Sequence, residues 1–141
     1  MALRTFRERV LQTLFYEAGG LLIVAPLYSQ IMGRSNAESF VLIAALSLAV
    51  MVWAPIHNVA FDIVDLRLSG RVASDRPHWL RAIHALSYES STVVMTLPIL
   101  ILLGGHGFWA ALAVDVSLTV AYAFYAYFFH IAYDRMRPVS G

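Results

Sequence analysis

Apolar residues in this chain run in long blocks, and the polar positions fall mainly between them. Four blocks stand out, roughly 10–32, 39–61, 82–103 and 108–131. No acidic or arginine side chain lies between Glu17 and Arg34, between Glu38 and Asp62, or between Glu89 and Asp115. A helix of about 20 mainly apolar residues crosses a ~30 Å hydrocarbon core, and each block is that long. The blocks are continuous, without the ~10-residue alternation of a membrane β-strand. The expected fold is therefore all-α, with four transmembrane helices in the bilayer. The first block is too long for a signal peptide, is interrupted by Glu17 and lacks a small-residue cleavage site, so it reads as a span.

Shifting the chain by 72 residues lays it on itself. Arg9-Val-Leu-Gln12-Thr-Leu14-Phe-Tyr16-Glu17 meets Arg81-Ala-Ile-His84-Ala-Leu86-Ser-Tyr88-Glu89. The same offset pairs Pro26 with Pro98, Gly33 with Gly105, Phe61 with Tyr133 and Asp62 with Asp134. An internal repeat fixes architecture before anything else does. Two transmembrane-pair repeats are expected: residues 1–69, with helices at about 10–32 and 39–61, and residues 70–141, with helices at about 82–103 and 108–131. Each is a helical hairpin, and the two are parallel-related about an axis along the membrane normal.

Charge orients this hairpin pair. Nine of the ten basic residues, all arginines, flank the two termini or lie between the second and third blocks, against Arg34 alone on the other side. The positive-inside rule then predicts that both termini and the 62–81 loop are cytoplasmic. The 33–38 and 104–107 connections are external, and each opens on a glycine suited to ending a helix. Ser74-Asp75-Arg76-Pro77-His78 reads as a cap and turn into the third helix. Composition agrees with a membrane setting: 60% of residues are hydrophobic, 13% are charged, and the mean hydropathy is +0.68. There is no Gly-rich phosphate loop, so uphill work must draw on an ion or membrane gradient. With no cysteine, disulfide and thiol chemistry are excluded. Nothing points to a nucleic acid or an enzymatic substrate.

The chemistry must come from polar groups at membrane depth. Glu17 lies seven or eight residues past the expected membrane edge, roughly 10–12 Å deep, and Glu89 occupies the matching place in the second repeat. A charge at the core costs at least ~2.5–3.5 kcal/mol. Low-dielectric surroundings favour the neutral acid, and an approaching cation favours the carboxylate. Such a group exchanges a proton for a cation; the alternative is a glutamate that only hydrogen-bonds a neighbouring helix. Thr13, Gly20 and Val24 share the Glu17 face, and Ala18-Gly19-Gly20 permits close helix approach. Asn58 and His130 enter at a similar depth and are the expected hydrogen-bond partners of the two glutamates. Tyr16 and Trp53 are the aromatic faces best placed to hold an organic cation. Asp115 is a third intramembrane acid, readable as an exit-side proton relay or as a structural acid. Pro26 and Pro98, nine residues after each glutamate, read as hinges or as static kinks. His57, His84 and His130 make a bis-histidine haem conceivable, but no histidines are spaced i,i+3 or i,i+4 and no haem-attachment motif occurs. No metal or cofactor is expected.

Arg81-Ala-Ile-His84-Ala-Leu-Ser-Tyr88-Glu89, Trp53-Ala-Pro-Ile-His-Asn58-Val-Ala-Phe61-Asp62, and Asp115-Val-Ser-Leu-Thr119 with Tyr133-Asp134 resemble the motifs of the proteobacterial antimicrobial compound efflux family. Its members are chlorhexidine efflux transporters built from tandem bacterial transmembrane pair domains. The resemblance covers nearly the whole chain. It implies export of cationic biocides such as chlorhexidine and acriflavine-like dyes, with diamines as further substrates, in exchange for protons across the bacterial inner membrane. It also implies a homodimer, and it assigns the essential acid of the first helix to Glu17 and the second-repeat acid to Glu89. Gln12 stands where the family's first motif often has histidine, and Ala54 where it tends to have asparagine. From the residues alone two other classes stay open: a small membrane scaffold subunit of a larger complex, and a membrane haem protein.

Overall fold

The computed structural model describes residues 6–70 and 77–137, with the side chains of Phe6, Arg9 and Asp134 excepted. Arg4, Arg71 and Arg76 of the orientation count, and Ser74 and Asp75 of the expected cap, lie outside the described residues, as do the side chains of Arg9 and Asp134. Among the described residues there are four helices and no strand: α1 (Phe6–Met32), α2 (Asn36–Ser69), α3 (His78–Leu102) and α4 (Phe108–Met136). All four are long and apolar enough to cross a membrane. Large apolar side chains point outward, among them Leu22, Ile31, Leu102 and Trp109. That surface suits a lipid solvent, in which each helix satisfies its own backbone hydrogen bonds.

Helices α1 and α3 outrun their apolar blocks at the N-terminal end, α4 at the C-terminal end and α2 at both. The largest difference is in α2, which continues through Asp62, Asp65 and Arg67 to Ser69, where a loop from residue 62 was expected. A run of apolar residues marks the bilayer's edge, and a helix is free to continue past that edge with polar side chains. Ser69 closes α2, its hydroxyl donating to the Asp65 carbonyl at 2.8 Å and lying 2.9 Å from the Asp65 carboxylate. Helix α3 starts four residues early, after Pro77, which makes no side-chain cap. Instead the Pro77 carbonyl accepts from the Leu80 and Arg81 amides, each at 3.1 Å.

The tight turns follow from local chemistry. Ser35 and Glu38 form a capping box at the start of α2. The Ser35 hydroxyl is 3.0 Å from the Glu38 carboxylate, and the Glu38 amide donates back to Ser35 Oγ at 3.2 Å. This arrangement satisfies helix-end donors reciprocally. Gly33 ends α1 with φ at 64°, and Gly105 follows α3 with φ at 63°. That left-handed geometry favours glycine. In the second turn, Gly105 is therefore the residue that reverses the chain, one position later than the expected Gly104. The two turns thus match at the 72-residue offset.

The helices pack as two compact units that cut across the sequence repeats. The first comprises residues up to Ala44 together with Ala113 onward; the second is Ala45–Leu112. In the first unit, α1 buries Gly20, Val24, Ala25, Tyr28 and Ser29, a helical stripe, and Leu42, Ile43, Val114 and Tyr133 are also buried. An ion pair joins the ends of α1 and α4: Arg137 Nε lies 3.0 Å from the Glu8 carboxylate, and the Tyr133 hydroxyl donates to the same oxygen at 3.0 Å. In the second unit, Leu46, His57, Thr96, Leu100 and Ala111 are buried.

Candidate functional site

The first unit contains an aromatic cluster centred on Tyr16 of α1, one residue before Glu17. Four rings of α4 surround it: Tyr125 at 5.0 Å between centroids, Phe129 at 5.3 Å, His130 at 5.9 Å and Tyr122 at 6.5 Å. Positions 122, 125, 129 and 130 share one helical face, so a single face of α4 supplies all four. The His130 ring stacks on Tyr16 with an interplanar angle of 9°. The cluster exists because α1 is notched opposite it. A Cβ on Gly19 would meet the Tyr125 hydroxyl, and one on Gly20 would come 3.1 Å from the Tyr122 ring. In that notch Tyr125 donates to the Tyr16 backbone carbonyl at 2.9 Å. The small residues at 18–20 were read as a close-approach surface, and Gly19 and Gly20 act as one.

Glu17 is half-buried, and so is Tyr16. A carboxylate beside several aromatic faces suits an organic cation, because ring quadrupoles attract positive charge and the acid supplies a counterion. His130 is not a glutamate partner, as had been expected. Its Nδ1 accepts from the Gln12 side-chain amide at 3.0 Å. Gln12 and His130 are therefore a pair linking the same two helices, and the stacking on Tyr16 fixes the ring that makes it. Asp115, the third intramembrane acid, is buried on α4 in this unit.

The second unit holds a polar ladder between α2 and α3. Trp53 Nε1 donates to Ser91 Oγ at 2.9 Å, and His57 Nε2 lies 3.1 Å from Ser87 Oγ. Each serine hydroxyl in turn donates to a carbonyl of its own helix, Ser91 to Tyr88 and Ser87 to His84, both at 2.9 Å. Trp53 and His57 are four residues apart, as are Ser87 and Ser91, so two helical turns register against each other. Around His57 stand His84 at 5.2 Å and Tyr88 at 5.4 Å, with Phe61 4.6 Å from His84.

Glu89 and Asn58 belong to this unit, and both are exposed. Asn58 therefore points outward and is not placed against Glu89 as a hydrogen-bond partner. Trp53, chosen from sequence as a cation-holding face, has its indole N–H committed to Ser91. Sequence reasoning singled out neither Gln12, Tyr125, Ser87 nor Ser91 for these contacts. The matched four-residue spacings of Trp53/His57 and Ser87/Ser91 were the available signal. Among the described residues, no group of three His, Cys, Asp or Glu side chains is placed to hold a metal ion.

Comparison with known proteins bears on what this arrangement serves. The family model for the BTP chlorhexidine efflux transporter matches residues 4–67 and again 76–139, so the tandem repeat is a repeat of one family unit. A short-chain diamines transporter of Vibrio parahaemolyticus is 27% identical over 134 residues, spanning 95% of this chain and 93% of the relative. A short-chain diamines transporter of Acinetobacter baylyi is 23% identical over 135 residues, spanning 96% and 93%. No solved structure matches the chain significantly. A family match over both repeats, on four apolar helices, leads to one conclusion: the chain is a multi-pass membrane protein that belongs to the chlorhexidine efflux transporter family, a family of transporters and not of enzymes.

Proposed function

We propose that this protein exports small organic cations across the bacterial inner membrane in exchange for protons, with Glu17 as the coupling acid. The observation that carries the reading is the half-buried Glu17 beside the Tyr16 aromatic cluster. In an apolar setting the acid is neutral when empty and ionised when a cation is bound. Proton and drug therefore compete for one group, which is the minimal requirement of an antiporter. Tyr16 and the α4 rings supply the faces for the cation, and the Gln12–His130 pair holds the rings in place.

Diamines fit this site as compact dications, in line with the names of the relatives. Chlorhexidine and acriflavine-like dyes fit it as larger, delocalised ones. The termini are cytoplasmic, residues 1–69 and 70–141 act as the two transmembrane-pair domains, and the working form is a homodimer. The exposure of Glu89 supports that last point. An acid on the outer surface of a spanning helix meets hydrocarbon unless a second copy covers it. Asn58, Trp53 and Asp115 have subsidiary roles in the pathway, the first two in the second unit and Asp115 as a relay in the first.

The test is uptake of chlorhexidine and of 1,5-diaminopentane into proteoliposomes under an imposed pH gradient. Glu17→Gln keeps size and hydrogen bonding but removes the titrating proton. It is expected to fold and to lose pH-driven transport. Transport by Glu17→Gln at the wild-type rate would sink the reading.

A further inference from the structure

The 72-residue offset carries contacts as well as sequence. In the first unit Tyr16 meets Phe129 edge-on at 5.3 Å and 75°, and Phe129 has Tyr125 at 5.8 Å and Tyr133 at 5.6 Å. The offset turns these four residues into Tyr88, His57, Trp53 and Phe61 of the second unit. There Tyr88 meets His57 edge-on at 5.4 Å and 65°, and His57 has Trp53 at 6.4 Å and Phe61 at 6.1 Å. Each unit builds the same four-ring cluster, and in each the tyrosine precedes a glutamate, Glu17 or Glu89. One member differs in kind. The ring that the others share is a phenyl in the first unit and an imidazole in the second.

His57 is 9% exposed, and among the described residues its Nδ1 is buried without a hydrogen-bond partner. The tautomer follows from Ser87. A hydroxyl has one proton to give, and Ser87 Oγ gives it to the His84 carbonyl at 2.9 Å. Toward His57 Nε2, 3.1 Å away, Ser87 Oγ is therefore an acceptor. Nε2 carries the hydrogen, and Nδ1 presents a lone pair. Buried acceptors are normally satisfied, and this one is held ready for a donor.

The rings around Nδ1 decide which donor fits. Aromatic faces attract positive charge, so a cationic N–H donor suits this place better than a neutral one. A primary ammonium has three N–H groups, one for Nδ1 and the others free to point at ring faces. A quaternary ammonium has the charge but no N–H, and can use the rings alone. Phe129 has no lone pair, so the first unit's cluster lacks this means of telling the two apart. Phe61, His84 and Tyr88 are half-buried, and rotation of such side chains is fast enough to open a way to Nδ1.

We propose that the second unit holds a binding site of its own for a primary alkylammonium group, with His57 Nδ1 as the hydrogen-bond acceptor and Tyr88, Trp53 and Phe61 as the cation-binding faces. This rests on the reading of the protein as a carrier of organic cations, and adds to it a preference for primary over quaternary amines. The ligand keeps its proton, and only a hydrogen bond is made. The same chemistry occurs at each end of a free alkyl diamine and in the headgroup of phosphatidylethanolamine.

The experiment is 15N NMR of histidine-labelled protein in nanodiscs of phosphatidylcholine and phosphatidylglycerol, with His57→Phe identifying the signal. At about pH 8.5 ordinary imidazoles are neutral and primary amines are ammonium ions. 1,5-Diaminopentane is expected to shift the His57 Nδ1 resonance as a new hydrogen bond does, leaving Nδ1 unprotonated. The bis-quaternary hexamethyl analogue of the same length is expected to leave it unmoved. Phosphatidylethanolamine producing the shift by itself assigns the site to the lipid, and a shift produced by the free diamine alone assigns it to a solute. Calorimetry in a Glu17→Gln background silences the first unit's acid. Adding His57→Phe there should weaken diamine binding about tenfold, the size of a hydrogen bond to a charged group, and leave the quaternary analogue unaffected. His57→Asn, whose amide oxygen can stand in for Nδ1, should keep part of the preference. Three results would overturn the proposal: no shift with diamine or lipid, equal shifts with diamine and analogue, or equal losses of both cations in His57→Phe and His57→Asn. Failure of proton exchange would appear separately, as transport by Glu17→Gln, and would leave the NMR result at His57 unchanged.

Discussion

Tyr125 of α4 hangs its hydroxyl on the backbone carbonyl of Tyr16, 2.9 Å away, and reaches it only because residue 19 has no side chain. One phenol thus fastens α4 to α1 immediately before Glu17.

Gly19→Ala places a methyl against that hydroxyl. Overpacking of this kind costs about 1–3 kcal/mol, and Tyr125→Phe alone costs roughly 0.5–1.5 kcal/mol for the lost bond. The double variant Gly19→Ala/Tyr125→Phe should be more stable than Gly19→Ala alone, because the remaining ring carbon would sit at an ordinary 3.5 Å from the new methyl. Unfolding of the three variants in one detergent checks this. Simple additivity would mean that the notch does not receive the tyrosine.

The two repeat acids should behave unequally. Glu17 is half-buried beside the aromatic cluster, whereas Glu89 is exposed on α3. Glu17→Gln should abolish pH-driven uptake, and Glu89→Gln should lower it by less than about tenfold, equivalent to ~1.4 kcal/mol. Initial rates in matched proteoliposomes decide it, and equal losses would contradict the asymmetry.

Much of this was legible beforehand. The four spans follow from apolar runs, and the repeat offset correctly matches Gly33 with Gly105. What could not be read was which helix face meets which. Hairpin order in sequence suggests α1 with α2 and α3 with α4, yet the contacts of Tyr16 are with α4, and those of Trp53 and His57 are with α3. A polar residue such as His130 has several partners within reach by depth alone. Gln12 wins because it lies on the α1 face already brought to α4 by the glycines. The end of α2 was misread for a different reason, since Asp62 and Asp65 signal departure from hydrocarbon but do not break a helix.

Orientation can be tested cleanly because the chain has no cysteine. A thiol at Gly107, where an added Cβ meets nothing within 4 Å, should react with an impermeant reagent from the periplasm. Reporters fused to both termini should be cytoplasmic. Labelling of Gly107→Cys only after the membrane is opened would reverse the topology.

The Trp53–Ser91 bond predicts a separation between stability and binding. Ser91→Ala frees the indole N–H and should cost about 1 kcal/mol of stability while leaving the ring face available. Trp53→Leu should remove the face as well and weaken 1,5-diaminopentane binding further. Calorimetry on both variants checks this, and equal binding losses would make Trp53 purely structural.

Helix α2 has 34 residues, and at 1.5 Å each it is about 51 Å long, well beyond the ~30 Å that hydrocarbon occupies. Its one interior proline is Pro55, so lean is carried by the segments on either side of that break in the hydrogen-bond ladder. A change of about 10° in its lean sweeps one end past the other by roughly 9 Å over that length. Lean is also how a membrane helix accommodates a thinner or thicker bilayer. The expected consequence is that a series of bilayers graded in acyl-chain length tunes the turnover of this transporter with no change to the protein.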